Sequence, residues 1–390
     1  MTYYQPKPEL TKKAMRTFLE ENNIKIRKNI ITHEISIEGE LDGEIDPSEK
    51  LNQFYIDIYD GIKEQGLYRC SRQLVNDYLN RLINGSDIRY NPVTDMLDKV
   101  DLDKSKDYLS ELFSIMGIDN SDTLSKILVH KWLLQCIALS RNTLDNAVGA
   151  DGMLVLQGGQ GVGKTSLIRK LGVSPKLCKL NCSLSEFDKD TKINALTAWI
   201  VEFGEFEKTV NGTSAETLKV LVTTEIDYYR VPYGKGTGAY PRIANLVGTC
   251  NHKKFLTDDT GSRRYWVIPI DRIDLARLDS FDVLHLWKQI ESEYEHNSQD
   301  CFRLTREEQK ALAIRNIQHE RIDAEQEIAD IIAEAELTGH KFDWITSTTF
   351  KTANKAISKY SAVTIGRALK SLGVEEKRTG KGRFYFLPLP

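Results

Sequence analysis

The sequence predicts an α/β protein: a P-loop core on a parallel sheet, helical regions on either side of it, and a small basic module at the C-terminus. Three observations predict this. The glycine loop "GGQGVGKTS" lies between the strand-like "MLVLQ" and the helix-like "SLIRKL". Across residues 150–271 short β-rich runs alternate with loops and helices, the rhythm of a sheet with helices packed on it. Residues 341–390 hold seven Lys and three Arg against one Asp and two Glu, a net +7 in a chain whose formal total is −3, so the first 340 residues carry −10.

With 390 residues and 41% hydrophobic content, the chain is long enough for two or three domains and can bury a sizeable core. The opening "MTYYQPKPELTKKAMR" has no apolar stretch of signal-peptide length, and no segment approaches the roughly 18 apolar residues of a membrane helix. A soluble cytoplasmic protein without a membrane partner is expected. Six cysteines (Cys70, Cys136, Cys178, Cys182, Cys250, Cys301) are scattered with no paired-ligand spacing, which predicts reduced thiols and no zinc.

Five regions follow in order. Residues 1–95 form an α+β region, opening with the helical pattern "ELTKKAMRTFLEENN". In "IKIRKNIITHEISIEG" two alternating runs flank Lys28-Asn29, which reads as a hairpin turning there. Residues 96–147 are helical and apolar, above all "TLSKILVHKWLLQCIAL"; 148–271 are the core; 272–338 return to helices. In "LTREEQKAL" Thr305 and Glu308 have capping-box spacing. Residues 339–390 are the basic module.

The strongest motif is Gly158, Gly159, Gln160, Gly161, Val162, Gly163, Lys164, Thr165, Ser166, which fits the P-loop pattern in its required strand–loop–helix context. Its glycines let backbone N–H groups turn inward around phosphate oxygens. Lys164 supplies a point charge for the β- and γ-phosphates, and the Thr165 hydroxyl is placed for Mg²⁺, so ATP with Mg²⁺ is the expected ligand pair. Thirty-eight residues beyond Lys164, "LTAWIVEFGEFE" carries an apolar strand, Trp199 to Val201, that ends in Glu202, with Glu205 three residues on. One carboxylate can hold the metal shell while the other orients or deprotonates a water. For Glu205 the alternative is a helix cap. The strand Leu246 to Cys250 then ends in Asn251, a neutral amide able to bond both the water and a γ-phosphate; in isolation it would read as a turn former.

Between these strands "YYRVPYGKGTGAYPRI" has two short runs around a glycine-rich tip, suiting a hairpin with Lys235 at the tip and Arg230 and Arg242 near the base. Such a tip either grips a nucleic-acid backbone or is a solvated loop. "DDTGSRRYW" places Arg263 and Arg264 directly before the apolar run "YWVIPI". The pair is either an internal ion pair or a reach toward an anion on another molecule.

Taken together, "GGQGVGKTS", "WIVEFGE", "YYRVPYGKG", "VGTCN" and "DDTGSRRYWVIPI" resemble the virulence-associated E (VapE) proteins of phages and mobile islands, relatives of the superfamily III helicases of the AAA+ class. The resemblance is close over residues 150–271. It implies a P-loop AAA+ core, Walker B acids at Glu202 and Glu205, a DNA-contacting hairpin around Lys235, a sensor at Asn251, and an arginine finger at Arg263 or Arg264. Some family members carry an N-terminal primase domain; the stretch before this core is too short for one, so no primer synthesis is expected.

The C-terminal module is legible without the family. "TTFKTANKAISKY" and "SAVTIGRALKSLG" are two helix patterns, and "VEEKRTGKGRFYFLPL" reads as two strands around a turn, the layout of a winged helix. Its second helix would project Thr364, Arg367 and Lys370, and the wing Lys377, Arg378, Lys381 and Arg383. Winged helices also dock proteins, so both uses stay open. The whole reads as an ATPase that works on DNA as a helicase or replication initiator of a mobile element. Such an enzyme would act as a homo-oligomeric ring, a hexamer among the options, with a primase or host replication protein as a further partner. The alternative is an ATP-switched DNA-binding regulator that does not unwind.

Overall fold

A computed structural model of the chain describes residues 7–39, 50–182, 196–207, 214–230, 236–256, 262–320, 324–380 and 382–389. The first module packs the helices Lys12–Glu21, Lys50–Gln65 and Arg72–Ile83 against a small sheet of β1 (Lys25–Asn29), β2 (Ile35–Glu38) and β3 (Arg89–Tyr90) in the order β2-β1-β3. The hairpin is there, but its turn is not at Lys28-Asn29. Both residues lie in β1, and the chain reverses only after Asn29, whose buried amide oxygen accepts the N–H of Ile31 at 2.8 Å and of Thr32 at 3.2 Å. A side chain that satisfies two turn donors moved the reversal downstream.

The core is a parallel five-stranded sheet of β4 (Met153–Gln157), β5 (Cys178–Cys182), β6 (Ile200–Phe203), β9 (Asn245–Cys250) and β10 (Tyr265–Pro269), ordered β10-β4-β9-β6-β5. Its strands are apolar almost throughout because both faces are covered. Residues alternate between the two sides: Leu154, Leu156, Val247, Trp266 and Ile268 face one cluster, Met153, Val155, Leu246, Tyr265 and Val267 the other. The first cluster holds the helices Thr123–Ser140, Lys164–Leu171 and Val283–Glu295, the second the helix Ser214–Thr223 through Leu218, Leu221 and Val222. Trp287 ties the first layer together by donating to the Leu171 carbonyl at 2.9 Å and packing against Trp199, ring centroids 4.4 Å apart. The helix Arg306–Ile317 opens with the expected capping box, Glu308 N–H to the Thr305 hydroxyl and Thr305 N–H to the Glu308 carboxylate.

A separate two-stranded antiparallel sheet, β7 (Ile226–Tyr229) with β8 (Gly238–Pro241), forms the hairpin stem between the acidic and Asn strands. At the C-terminus β11 (Phe342–Ile345), β12 (Glu376–Thr379) and β13 (Gly382–Pro388) make the antiparallel sheet β11-β13-β12. Strand β11 has no counterpart in the sequence reading. The first expected helix here splits into Ser347–Ala353 and a 3₁₀ turn, Ala356–Lys359, because Asn354 is extended (φ −118°, ψ 104°). The helix Ala324–Leu337 shares a core with this module: Ala324 and Ile328 are buried with Phe350, Ile365, Leu369 and Leu387. Sequence alone had grouped that helix with the preceding region, whose boundary it put at residue 338. No helix among the described residues is long and apolar enough to cross a membrane.

Candidate active site

The loop Gly158–Ser166 leaves the C-terminal end of β4 and opens the helix Lys164–Leu171. Gly161 (φ 80°) and Gly163 (φ 100°) take left-handed backbone that side chains resist, and a Cβ on Gly163 would meet Leu275 at 2.9 Å. The loop is braced from behind, where Gly158 N–H donates to the Cys250 carbonyl at 3.0 Å and Ile273 N–H to that of Val162 at 3.0 Å. It encloses a cavity of about 410 Å³ that Asn181, Glu205, Thr249 and Asn251 also line.

Lys164 is 7% exposed. Its ammonium donates to the carbonyls of Gly158 and Gly159, both at 2.7 Å, and to the Asn251 amide oxygen at 3.0 Å, so the lysine and the Asn strand meet at the loop. Burial lowers its pKa, opposed by the carboxylates of Glu207 and Glu202. Glu202 is fully buried, an expensive place for a carboxylate unless it is hydrogen-bonded. It is bonded: Thr165 and Thr249 donate their hydroxyls to one oxygen at 2.8 and 2.9 Å, and the Asn181 N–H reaches the other at 3.4 Å. Parallel register explains the convergence, since β9 lies between β4 and β6 and brings Thr249 beside the loop.

Glu205 lines the same cavity from the exposed side, in left-handed backbone (φ 48°), a conformation costing a non-glycine residue about 1 kcal/mol. The two carboxylates thus occupy different environments, one buried beside Thr165 and one facing the open space. A third, Glu207, was missed in the sequence; one of its oxygens is buried with no hydrogen-bond partner among the described residues. Burial first, then Glu207, pushes the Cys250 thiol up. Thr249 was missed as well, since a threonine inside a strand has no signal of its own until its neighbouring strand is known.

Arg263 and Arg264 sit in a 3₁₀ turn, Ser262–Arg264, at the N-terminal end of β10. They open into a separate cleft of about 250 Å³ with Glu225 and Arg303. The β10–β4 register runs from Tyr265↔Met153 to Pro269↔Gln157, so the arginines lie at the N-terminal end of the parallel strands and the glycine loop at the C-terminal end. Neither arginine forms an ion pair among the described residues, and the Arg264 Nε is buried with no hydrogen-bond partner there.

The residues expected to meet DNA divide. Arg230 is exposed at the end of β7, and Lys235 lies outside the described residues. Arg242 is a correction: it is 2% exposed, donates to both Asp227 oxygens (2.5 and 2.7 Å) and to the Leu221 carbonyl, and is an internal clamp rather than a contact surface. Arg367 is half-buried and paired with Glu320, so it too is turned toward its own chain. Lys370, Lys377, Arg378 and Arg383 are exposed, and Lys381 lies outside the described residues. Arg378 and Arg383 are directly opposite one another across β12 and β13.

The model of the virulence-associated protein E-like domain matches residues 97–321, more than half of the chain and all five strands of the parallel sheet. The chain belongs to the VapE-like family. The match leaves out the first module and the C-terminal one. No curated protein matches this chain. Among solved structures it is similar to the A-form apo structure of the NrS-1 C-terminal region, at 14% identity and a TM-score of 0.48 over 96% of this chain and 99% of that one. A second apo structure of the same region gives 13% identity and a TM-score of 0.46 over 96% and 98%.

Proposed function

We propose that this VapE-like protein is an ATPase that couples hydrolysis to movement on DNA, a helicase or replication initiator of a mobile element. It would be built as a P-loop AAA+ core with a C-terminal winged helix. One observation carries the reading: the lysine, threonine, buried glutamate and asparagine of three separate segments are hydrogen-bonded to each other or to the glycine loop around one cavity. A structural glycine turn needs none of these partners.

The donor set suits the expected ligands. A buried carboxylate beside a threonine hydroxyl at the mouth of a phosphate-sized loop fits Mg²⁺, which takes one or two protein oxygens and leaves its other positions to phosphate and water. Thr165 and Glu202 would hold that ion, whose charge would offset the charge developing on the transferred phosphoryl group. Lys164 would exchange its carbonyl partners for β- and γ-phosphate oxygens. Asn251, already at the Lys164 ammonium, would orient the attacking water, and Glu205 would accept its proton as the new P–O bond forms and the bond to ADP breaks. Since Arg263 and Arg264 lie at the opposite end of the strands from the glycine loop, they would serve the site of a neighbouring subunit, which supports a homo-oligomeric ring.

The exposed Lys377 and Arg378 support DNA as the partner of the C-terminal module: Arg378 stands directly opposite Arg383, whose own carboxylate partner is Glu376 at 3.6 Å, and Arg378 pairs with no carboxylate among the described residues. DNA-stimulated ATPase activity tests the class and excludes a small-molecule kinase. Displacement of a strand from a forked duplex tests the motor; stimulated ATPase without displacement would favour an ATP-switched regulator. Replacing Lys377, Arg378 and Arg383 with Glu should weaken DNA binding and flatten its salt dependence; an unchanged slope would assign the module to protein docking.

A further inference from the structure

Beyond the cavity at the glycine loop and the arginine cleft, the described residues hold another pocket of about 370 Å³ on the first module, outside the stretch the family model matches. Two helices that run past one another build it. Lys12, Lys13 and Arg16 come from the helix Lys12–Glu21, and Tyr78 and Arg81 from the helix Arg72–Ile83. Its floor is apolar, with Met15 wholly buried beneath it. Tyr78 is held in place by its hydroxyl, which donates to the Leu10 carbonyl at 3.2 Å, so the ring is a fixed wall of the pocket.

The charges are the unusual part. Arg16 reaches Asp87 at 2.8 Å, but Lys12, Lys13 and Arg81 meet no carboxylate among the described residues. Lys12 and Lys13 also occupy the first turn of their helix, where the backbone dipole disfavours cations and no acidic residue compensates. The module does have acids, but they are elsewhere in the chain: residues 1–30 carry seven Lys and Arg against three Glu, while residues 31–60 carry nine Asp and Glu against one Lys. Uncompensated cations around an aromatic wall and an apolar floor match what a single nucleic-acid strand offers, phosphates for the cations and a base face for the ring. An acidic peptide would satisfy the cations but not call for the ring.

We infer that this cleft is a second nucleic-acid site, which takes the phosphate backbone of a single strand on Lys12, Lys13 and Arg81 and stacks a base on Tyr78. This rests on the reading that the protein works on DNA, and under it the first module holds one strand while the core and C-terminal module engage the rest.

The test uses the full chain and a fluorescent oligothymidine, with affinity measured by anisotropy across a salt series. For Lys12→Glu, Lys13→Glu and Arg81→Glu combined, the expected result is a loss of affinity of about tenfold or more and a salt slope shallower by about 2, since three phosphate contacts on a single strand contribute roughly 0.7 each. ATPase measured without DNA should not change, because none of these residues lines the glycine-loop cavity. A Tyr78→Leu variant, which leaves the charges in place, should lose affinity while keeping the slope, and an iodouracil-substituted oligonucleotide should cross-link to the peptide holding Tyr78. Unchanged affinity and slope in the triple variant, with the C-terminal variant still weakened, would overturn the inference and leave the proposed function intact. If polyglutamate binds the wild type and not the triple variant while oligothymidine binds both equally, the cleft takes an acidic protein instead and the inference is likewise overturned. Absence of any oligothymidine binding by the wild type would refute the DNA reading itself.

Discussion

The proposed split of the active site between subunits makes a quantitative expectation for Arg264. The β10–β4 register puts five residues of strand, about 16 Å at 3.3 Å per residue, between the arginine turn and the start of the glycine loop, so the side chain cannot serve its own site. An arginine finger supplied by a neighbour contributes 10³–10⁵ in turnover, and the lower figure equals about 4 kcal/mol of transition-state stabilisation. Folding should barely register its loss. Arg264 has a buried Nε without a partner among the described residues, so Arg264→Ala removes no hydrogen bond from that atom and should shift stability by no more than about 1 kcal/mol. The assay mixes Arg264→Ala with Lys164→Ala, each inactive alone, in equal amounts. An interface works only where an intact glycine loop meets an intact arginine, so random exchange in a head-to-tail ring restores about a quarter of the interfaces and, if these act independently, about a quarter of wild-type ATPase. The same mixture made with Arg263→Ala identifies which arginine acts. If neither mixture recovers activity although subunit exchange is demonstrated by fluorescence transfer, the trans assignment is wrong. A melting temperature that collapses in Arg264→Ala would instead make the arginine structural.

Three further outcomes are expected. Glu205→Gln should keep nucleotide affinity, measured with a fluorescent ATP analogue, and lose at least about a hundredfold in hydrolysis, as expected for loss of a general base; if Glu202→Gln behaves this way while Glu205→Gln hydrolyses normally, the two roles are exchanged. Asp227→Ala strands the buried Arg242 guanidinium and should cost about 3–5 kcal/mol in chemical denaturation, while Asp227→Leu combined with Arg242→Met recovers most of it; a near-neutral single variant would deny the clamp. His33, whose ring contacts Tyr229 and Tyr240, has its pKa lowered to about 4 by burial and by the charges of Lys28 and Arg89. The unfolded chain therefore binds the proton first, so this group's contribution is full above pH 6.5 and is lost as pH falls from there toward 4. Substituting His33→Phe should flatten that part of the stability-versus-pH curve, and an unchanged slope would count against the buried neutral ring.

Much of the core was legible because its signals are local. The glycine loop is one uninterrupted stretch whose conformation follows from its own residues and the strand and helix that touch it. The Thr305–Glu308 box is likewise a matter of three-residue spacing. Apolar runs announced β4, β6, β9 and β10 because strands covered on both faces are mostly apolar, a buried polar residue needing a hydrogen-bond partner. The end of β9 announced Asn251; Glu202, expected at a strand end, lies inside β6, with Phe203 after it.

What sequence could not supply was lateral order. Thr249 joins Glu202 only because β9 lies between β4 and β6, and Arg242 turns inward only because Asp227 lies across the hairpin stem from it. Read along the chain, Arg242 and Arg378 are equivalent basic residues near turns. In space one has a carboxylate within bonding distance and becomes core, while the other faces a second arginine and stays exposed. The chain by itself determined where the glycine loop, the capping box and the apolar strands lie, because glycine conformation, capping and strand burial depend on near neighbours. Which charges are compensated internally, and which are left for a partner, only the tertiary structure decided, because an ion pair depends on distances between segments far apart in sequence.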